Sequence, residues 1–253
     1  MIFLHIANQH GKNFVTVIYS IPGFSEPVSS LSHLLAAGVF LVLGIFLLRH
    51  GRGNRARILS LGVFVFATVF MLAMSGVFHL LQPGGSGRAV LQRLDHASIF
   101  VLIAGTFTPI HIILFRGWRR WAVLTLIWLL TITGLTLTTV FFHAMNKQTG
   151  LGLLFYLGLG WLGIITAILM YQRYQWRFLP FLLYGAIAYT VGALIDFFRL
   201  FNPWPGVIGP HELFHLFVLV GISCHWYLVY CISEAHRHGR LYPHSRRTSF
   251  SIE

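Results

Sequence analysis

The chain has 253 residues, 56% of them hydrophobic and 9% charged. Soluble domains carry about 25% charged residues, so the composition excludes an ordinary water-soluble fold and indicates a membrane protein. The formal net charge of +12 does not imply a nucleic-acid partner, because the basic residues fall between apolar runs and gather on no single amphipathic face.

The first 27 residues form an N-terminal segment. Its apolar stretch Phe14–Ile21 lacks the basic n-region and small-residue cleavage site of a secretory signal, so no cleaved signal peptide is expected. Seven apolar runs follow, each near the roughly 20 residues needed to cross the hydrocarbon core. They are Val28–Leu48, Ile58–Leu81, Ala97–Phe115, Trp121–Phe142, Leu151–Tyr171, Leu179–Phe198 and Glu212–Ile232. The expected fold is all-α, an integral membrane bundle of seven transmembrane helices over residues 28–233. Residues 234–253 read as a polar, basic tail. The connections are short, so neighbouring spans run antiparallel and no separate soluble domain fits between them.

Thirteen arginines lie on the side of the membrane that holds the tail: Arg49, Arg52, Arg55 and Arg57 after span 1, Arg116, Arg119 and Arg120 after span 3, Arg173 and Arg177 after span 5, and Arg237, Arg240, Arg246 and Arg247 in the tail. Five basic residues lie opposite: Lys12, Arg88, Arg93, Lys147 and Arg199. The bias predicts a cytoplasmic C-terminus and an outer N-terminus. Glycines in spans 5 and 6 read as close-packing positions. Cys224 and Cys231, seven apart on span 7, read as small buried apolar residues.

Polar residues converge on the other end. His211 and His215 are one helical turn apart, as are Ser75 and His79. Span 3 begins at Asp95. In an antiparallel bundle Ser75, His79, Asp95, His211 and His215 all meet near one membrane surface. An ionisable residue in a bilayer costs roughly 2.5–3.5 kcal/mol on insertion scales, so such a cluster is a functional hypothesis by default. Three neutral imidazoles and a water make a tetrahedral zinc site with an open position, the arrangement of catalytic zinc. Zinc brings the pKa of its water towards about 7. Asp95 is the candidate base and Ser75 the candidate hydrogen-bond donor to an oxyanion. The competing reading is a satisfied interhelical polar network without metal.

Other residues have lesser expected roles. His96 points about 100° from Asp95 on the helix and His33 lies two turns into span 1; both are candidates for contact with the metal ligands. His111, His143 and His225 read as packing or interfacial residues. Asp196, near the end of span 6, pairs with Arg199 or reaches the cluster, and the pairing is the favoured expectation. His211-Glu212-Leu213-Phe214-His215 also satisfies the H-E-x-x-H pattern of zinc proteases, with Glu212 as base. An intramembrane metalloprotease would need its third ligand from upstream, where His79 stands.

Taken together, these residues resemble the hemolysin III family, the bacterial branch of the progestin and adipoQ receptor family, and are more distantly similar to the alkaline ceramidases. The matching positions are Glu26 with His33, Ser75-x-x-x-His79, Arg93-Leu94-Asp95-His96, Ile103 to Pro109, Gly160-Trp161-Leu162, Tyr189 to Ala193, and His211 to Leu219. The resemblance implies seven helices, a Zn2+ held by His79, His211 and His215, and Asp95 and Ser75 beside its water. It implies less firmly the hydrolysis of a ceramide-like lipid amide, and makes Glu212 a variant at a tolerant position.

The chain departs from the family pattern at Ser29, where asparagine is usual, and at Asp196, where an aromatic residue is common. The adipoQ receptors also place zinc in the cytoplasm, opposite to the charge bias here. The expected activity is zinc-dependent hydrolysis of lipid amides or esters, with membrane lipid as substrate. The alternative is a non-enzymatic lipid or stress sensor with structural zinc. A cytolytic pore is disfavoured, because no charged stripe runs along any span.

Overall fold

Residues 2–9, 12–145 and 150–241 are described by the computed structural model. Lys147, Arg246, Arg247 and the rest of the tail beyond residue 241 lie outside the described residues. The membrane domain is all-α, as expected. Ahead of it, β1 (Ile2–Gln9) and β2 (Lys12–Tyr19) form an antiparallel hairpin that the sequence reading did not assign. The Tyr19 N–H donates to Gly206 O at 2.9 Å, tying the end of the hairpin to the loop before the last helix.

The helices are α1 (Pro27–Arg49), α2 (Arg55–Leu80), α3 (Ser86–Leu114), α4 (Trp118–Val140), α5 (Leu151–Trp161), α6 (Gly163–Tyr174), α7 (Leu179–Phe198) and α8 (Pro210–Arg237). Among the described residues they supply seven stretches long and apolar enough to cross a membrane, with α5 and α6 together making the fifth. Local chemistry sets several starts. Pro27 and Pro210 occupy first-turn positions, where a missing N–H is harmless. Asn54 caps α2 by accepting the Arg57 N–H at 3.0 Å.

Three boundaries differ from expectation. Helix α3 begins at Ser86, about three turns before Ala97. Those turns carry Arg88, Gln92, Arg93, Asp95 and His96, too polar to register as a span; Arg88, Gln92, Asp95 and His96 line the large internal cavity, and Arg93 lies over the Phe142 ring. Span 5 is interrupted at Leu162, between the glycines at 158, 160 and 163. There the Ile165 N–H takes Leu162 O at 3.0 Å, a tight i, i+3 bond in place of the regular ladder. Helix α8 continues beyond Ile232 to Arg237.

Helix α3 is the centre of the bundle. Of its most apolar 18-residue stretch 78% is buried, against 28% for α1, whose outward face is left to lipid. One apolar core joins Phe40, Phe64, Leu72, Ile110, Ile222 and Trp226 across α1, α2, α3 and α8; another joins Phe100, Phe107, Ile127 and Leu159 across α3, α4 and α5. Gly105 lets α3 lie directly on Ala67 of α2, since a Cβ there would collide with the alanine methyl. This antiparallel order brings the starts of α1, α3 and α8 to the same end as the finishes of α2 and α7.

Candidate metal centre

His79 comes from the last turn of α2 and His211 and His215 from the first two turns of α8. One nitrogen from each ring lies within 4.8 Å of the others, so the three could hold a metal ion. His79 Nε2 and His211 Nε2 are 3.2 Å apart. Two nitrogens each about 2.0–2.1 Å from one tetrahedral ion stand roughly 3.3 Å apart, so the spacing suits shared ligation. His79 and His215 are almost wholly buried, and His215 Nδ1 has no hydrogen-bond partner. An unpaired imidazole nitrogen in a bilayer is costly unless something polar meets it. Buried position, spacing and donor chemistry therefore all fit a metal.

Each ring is held by a neighbour. Glu26, immediately before α1, places Oε2 2.5 Å from His79 Nδ1. Its other oxygen is paired with Arg88, which also donates to the carbonyl of Leu81. The backbone clips the same corner shut, since the Glu26 N–H donates to His79 O at 3.0 Å and the Ser25 N–H to Leu80 O at 3.2 Å. Burial alone would raise the Glu26 carboxyl; the His79 hydrogen bond and the charges of His79, Arg88 and His211 outweigh it and bring the pKa down to about 2. Glu26 is thus a carboxylate, and with Nδ1 donating to it, His79 presents Nε2 inward.

Asp196 reaches across from α7 to His211, with Oδ1 3.4 Å from Nδ1. This corrects the favoured pairing with Arg199. Arg199 ends α7 in a left-handed conformation at φ 55°, and the chain turns away there. The His33 ring stacks on His215 with centroids 3.9 Å apart and planes 17° from parallel. The sequence pointed to His33 as a supporting residue, but assigned Glu26 no role. The available signal was that Glu26 is an acid at the same membrane level.

Glu212 lines the same cavity, but both its oxygens are engaged, which leaves neither free to act as a base. Its Oε1 accepts the Ser29 Oγ–H at 2.9 Å and its Oε2 accepts the Gly209 N–H at 2.9 Å. The carboxylate closes the start of α8 and ties it to α1, which accounts for Ser29 as well. Asp95 and Ser75 line the same cavity as the triad. Asp95 stands outside the set of mutually close ligand atoms, and its carboxylate lies 4.0 Å from His96 Nδ1. His96 Nδ1 lies 2.7 Å from Gln92 O, so His96 is tied to its own helix and not to the triad histidines. His111 and His225 are buried among packing helices, His111 Nε2 lying 2.9 Å from Thr166 Oγ1 and His225 Nε2 3.2 Å from Leu182 O. Cys224 and Cys231 are free.

The triad stands at one end of a cavity of about 1050 Å³. Near the histidines its wall includes Glu26, Ser75, Arg88, Asp95 and Asp196; further in it is formed by Met71, Leu102, Phe107, Ile164, Leu183 and Val218. The acids, Arg88 and the triad thus collect at one end of a chamber whose remaining wall is mostly apolar, with Thr106, Tyr189, Thr190 and His225 among its polar exceptions.

The sequence model of the family described as Haemolysin-III related matches residues 24–226, a stretch that runs from before Glu26 through all three triad histidines. The chain is similar to "Hemolysin-3" of Bacillus cereus, 28% identical over 206 residues that cover 81% of this chain and 90% of the relative. It is equally similar to "Hemolysin-3 homolog" of Bacillus subtilis (strain 168), 28% identical over 213 residues, 82% of this chain and 94% of the relative. A match through nearly the whole helical bundle makes this chain a multi-pass integral membrane protein of the Haemolysin-III related family.

Proposed function

We propose that this protein is a zinc-dependent hydrolase of membrane lipid amides or esters. The observation that carries the reading is the histidine triad at the polar end of a mostly apolar cavity of about 1050 Å³. A chamber of that size takes an acyl chain while its head meets the triad. His79, His211 and His215 would hold the zinc, which when bound polarises a carbonyl oxygen and lowers the pKa of water. Asp95 takes the proton of the attacking water and returns it to the leaving amine or alcohol. Ser75, one turn before His79, donates a hydrogen bond to the developing oxyanion. Glu26 fixes the ring of His79 through its hydrogen bond to Nδ1, and Asp196 sets a carboxylate beside His211. On the arginine bias, the C-terminus is cytoplasmic, the triad lies near the outer face, and the protein resides in the bacterial cell membrane.

The second reading is a non-enzymatic lipid sensor, in which zinc on the same three histidines would pin α2 to α8 and Asp95 would take no part. Purified protein, loaded with zinc, is assayed for fatty-acid release from ceramide and a panel of phospholipids. Turnover abolished by Asp95→Asn, with zinc content unchanged, supports the hydrolase. Zinc-loaded protein with no turnover across the panel overturns it and favours the sensor.

A further inference from the structure

A second polar cluster lies at the opposite end of the bundle from the triad. Arg57 in the first turn of α2, Arg116 just after α3, Arg120 at the start of α4 and His236 near the end of α8 line one small cavity of about 140 Å³ with Asn54 and Ile113. That volume is enough for several water-sized groups, hence for a phosphate group. No carboxylate of the described residues pairs with Arg57 or Arg120. Glu234 is the one described acid at this end, and it does not line this cavity.

The arginines are held in place. Arg57 donates to Arg52 O at 3.2 Å and through Nη1 to His236 Nδ1 at 2.6 Å. A guanidinium cannot accept a hydrogen bond, so His236 Nδ1 is the unprotonated acceptor. Arg57 Nε is buried with no hydrogen-bond partner. Arg120 Nε donates to Phe115 O at 2.8 Å, which fixes its fork beside the end of α3. The helices α2 and α4 begin at this cavity while α3 and α8 end at it, so their dipoles oppose one another and the positive field comes from the side chains. Fixed guanidinium groups and a buried N–H without a partner call for an anion.

We infer that Arg57, Arg116, Arg120 and His236 form an oxyanion site for a phosphate group, independent of the triad. Arginine forks suit phosphate oxygens, and basic pockets between transmembrane helices are a recognised mode of holding anionic lipid headgroups. The shared chemistry is a phosphate oxyanion, from either a phospholipid or free phosphate.

The full chain is purified in detergent and titrated in two arms. In one, phosphatidylglycerol or phosphatidylcholine is added and bound lipid is counted by native mass spectrometry. In the other, inorganic phosphate is added against chloride at matched ionic strength and the unfolding temperature is read. Arg57→Gln and Arg120→Gln are each compared with Arg173→Gln, which removes the same charge at the same end but outside the cavity. A headgroup site gives phosphatidylglycerol binding about fivefold weaker in each pocket variant and unchanged in Arg173→Gln. A site for free phosphate gives stabilisation by phosphate that both pocket variants lose, with lipid binding alike in all proteins. Either result supports the oxyanion site and identifies the source. Equal losses in all three variants, or no preference for phosphatidylglycerol together with no phosphate effect, overturns it. Should one pocket variant fail to keep its helical signal, the other carries the comparison.

Discussion

Glu26 Oε2 lies 2.5 Å from His79 Nδ1, although 53 residues separate them, and the contact joins the entrance of α1 to the exit of α2. A carboxylate on the distal nitrogen fixes both tautomer and ring orientation of a metal-ligating histidine. Replacement of Glu26 by Gln is expected to weaken zinc binding by about 10–100-fold while leaving the helices formed. Competition against a chelator of known affinity measures the loss, and Glu26→Asp should recover part of it. Unchanged affinity in Glu26→Gln would reduce the contact to a clip between helices.

Zinc content gives the most direct test of the centre itself. Wild type purified without chelator is expected to hold about one zinc per chain, and His215→Ala none, with circular dichroism unchanged. His33→Ala should retain zinc with reduced affinity, because His33 stacks on His215 and is not one of the three mutually close ligands. Equal loss in His33→Ala and His215→Ala would redraw the ligand set.

Glu212 separates the two readings of the H-E-x-x-H stretch. As a protease-type base, its replacement by Gln would abolish turnover at constant stability. Both its oxygens are instead engaged, one by Ser29 and one by the Gly209 N–H. Glu212→Gln is therefore expected to retain zinc and turnover, and to lose about 0.5–2 kcal/mol of stability through the helix start. Thermal unfolding and activity measured on the same preparation decide between them.

The seven spans were legible because lipid demands runs of about 20 apolar residues, and seven such runs are present. The triad was legible for a related reason: His79, His211 and His215 are expensive at their depth, and i, i+4 spacing announces a shared face. What escaped was pairing across helices. Asp196 sits three residues before Arg199, a pairing that sequence distance favours, but the left-handed turn at Arg199 leaves the carboxylate to His211. The first three turns of α3 escaped because a helix wall facing a polar cavity carries polar residues and resembles a loop. The break at Leu162 and the hairpin ahead of α1 depend on backbone bonds that composition does not record.

Chain-length selectivity tests the deep part of the cavity apart from the triad. Ala186 on α7 lines the chamber, and Ala186→Phe adds a ring to its wall. Because the added bulk lies away from Asp95 and the histidines, zinc content should be unchanged. Turnover of long-chain lipid amides should fall, since seating the chain would demand an overpacking cost of about 1–3 kcal/mol, roughly 5–150-fold in rate. Short-chain analogues that leave the deep chamber empty should react as with wild type. Long-chain turnover unchanged in Ala186→Phe would mean that the acyl chain does not enter this chamber, and a fall shared by short chains would mean that the ring disturbs the triad end rather than the chain's seat.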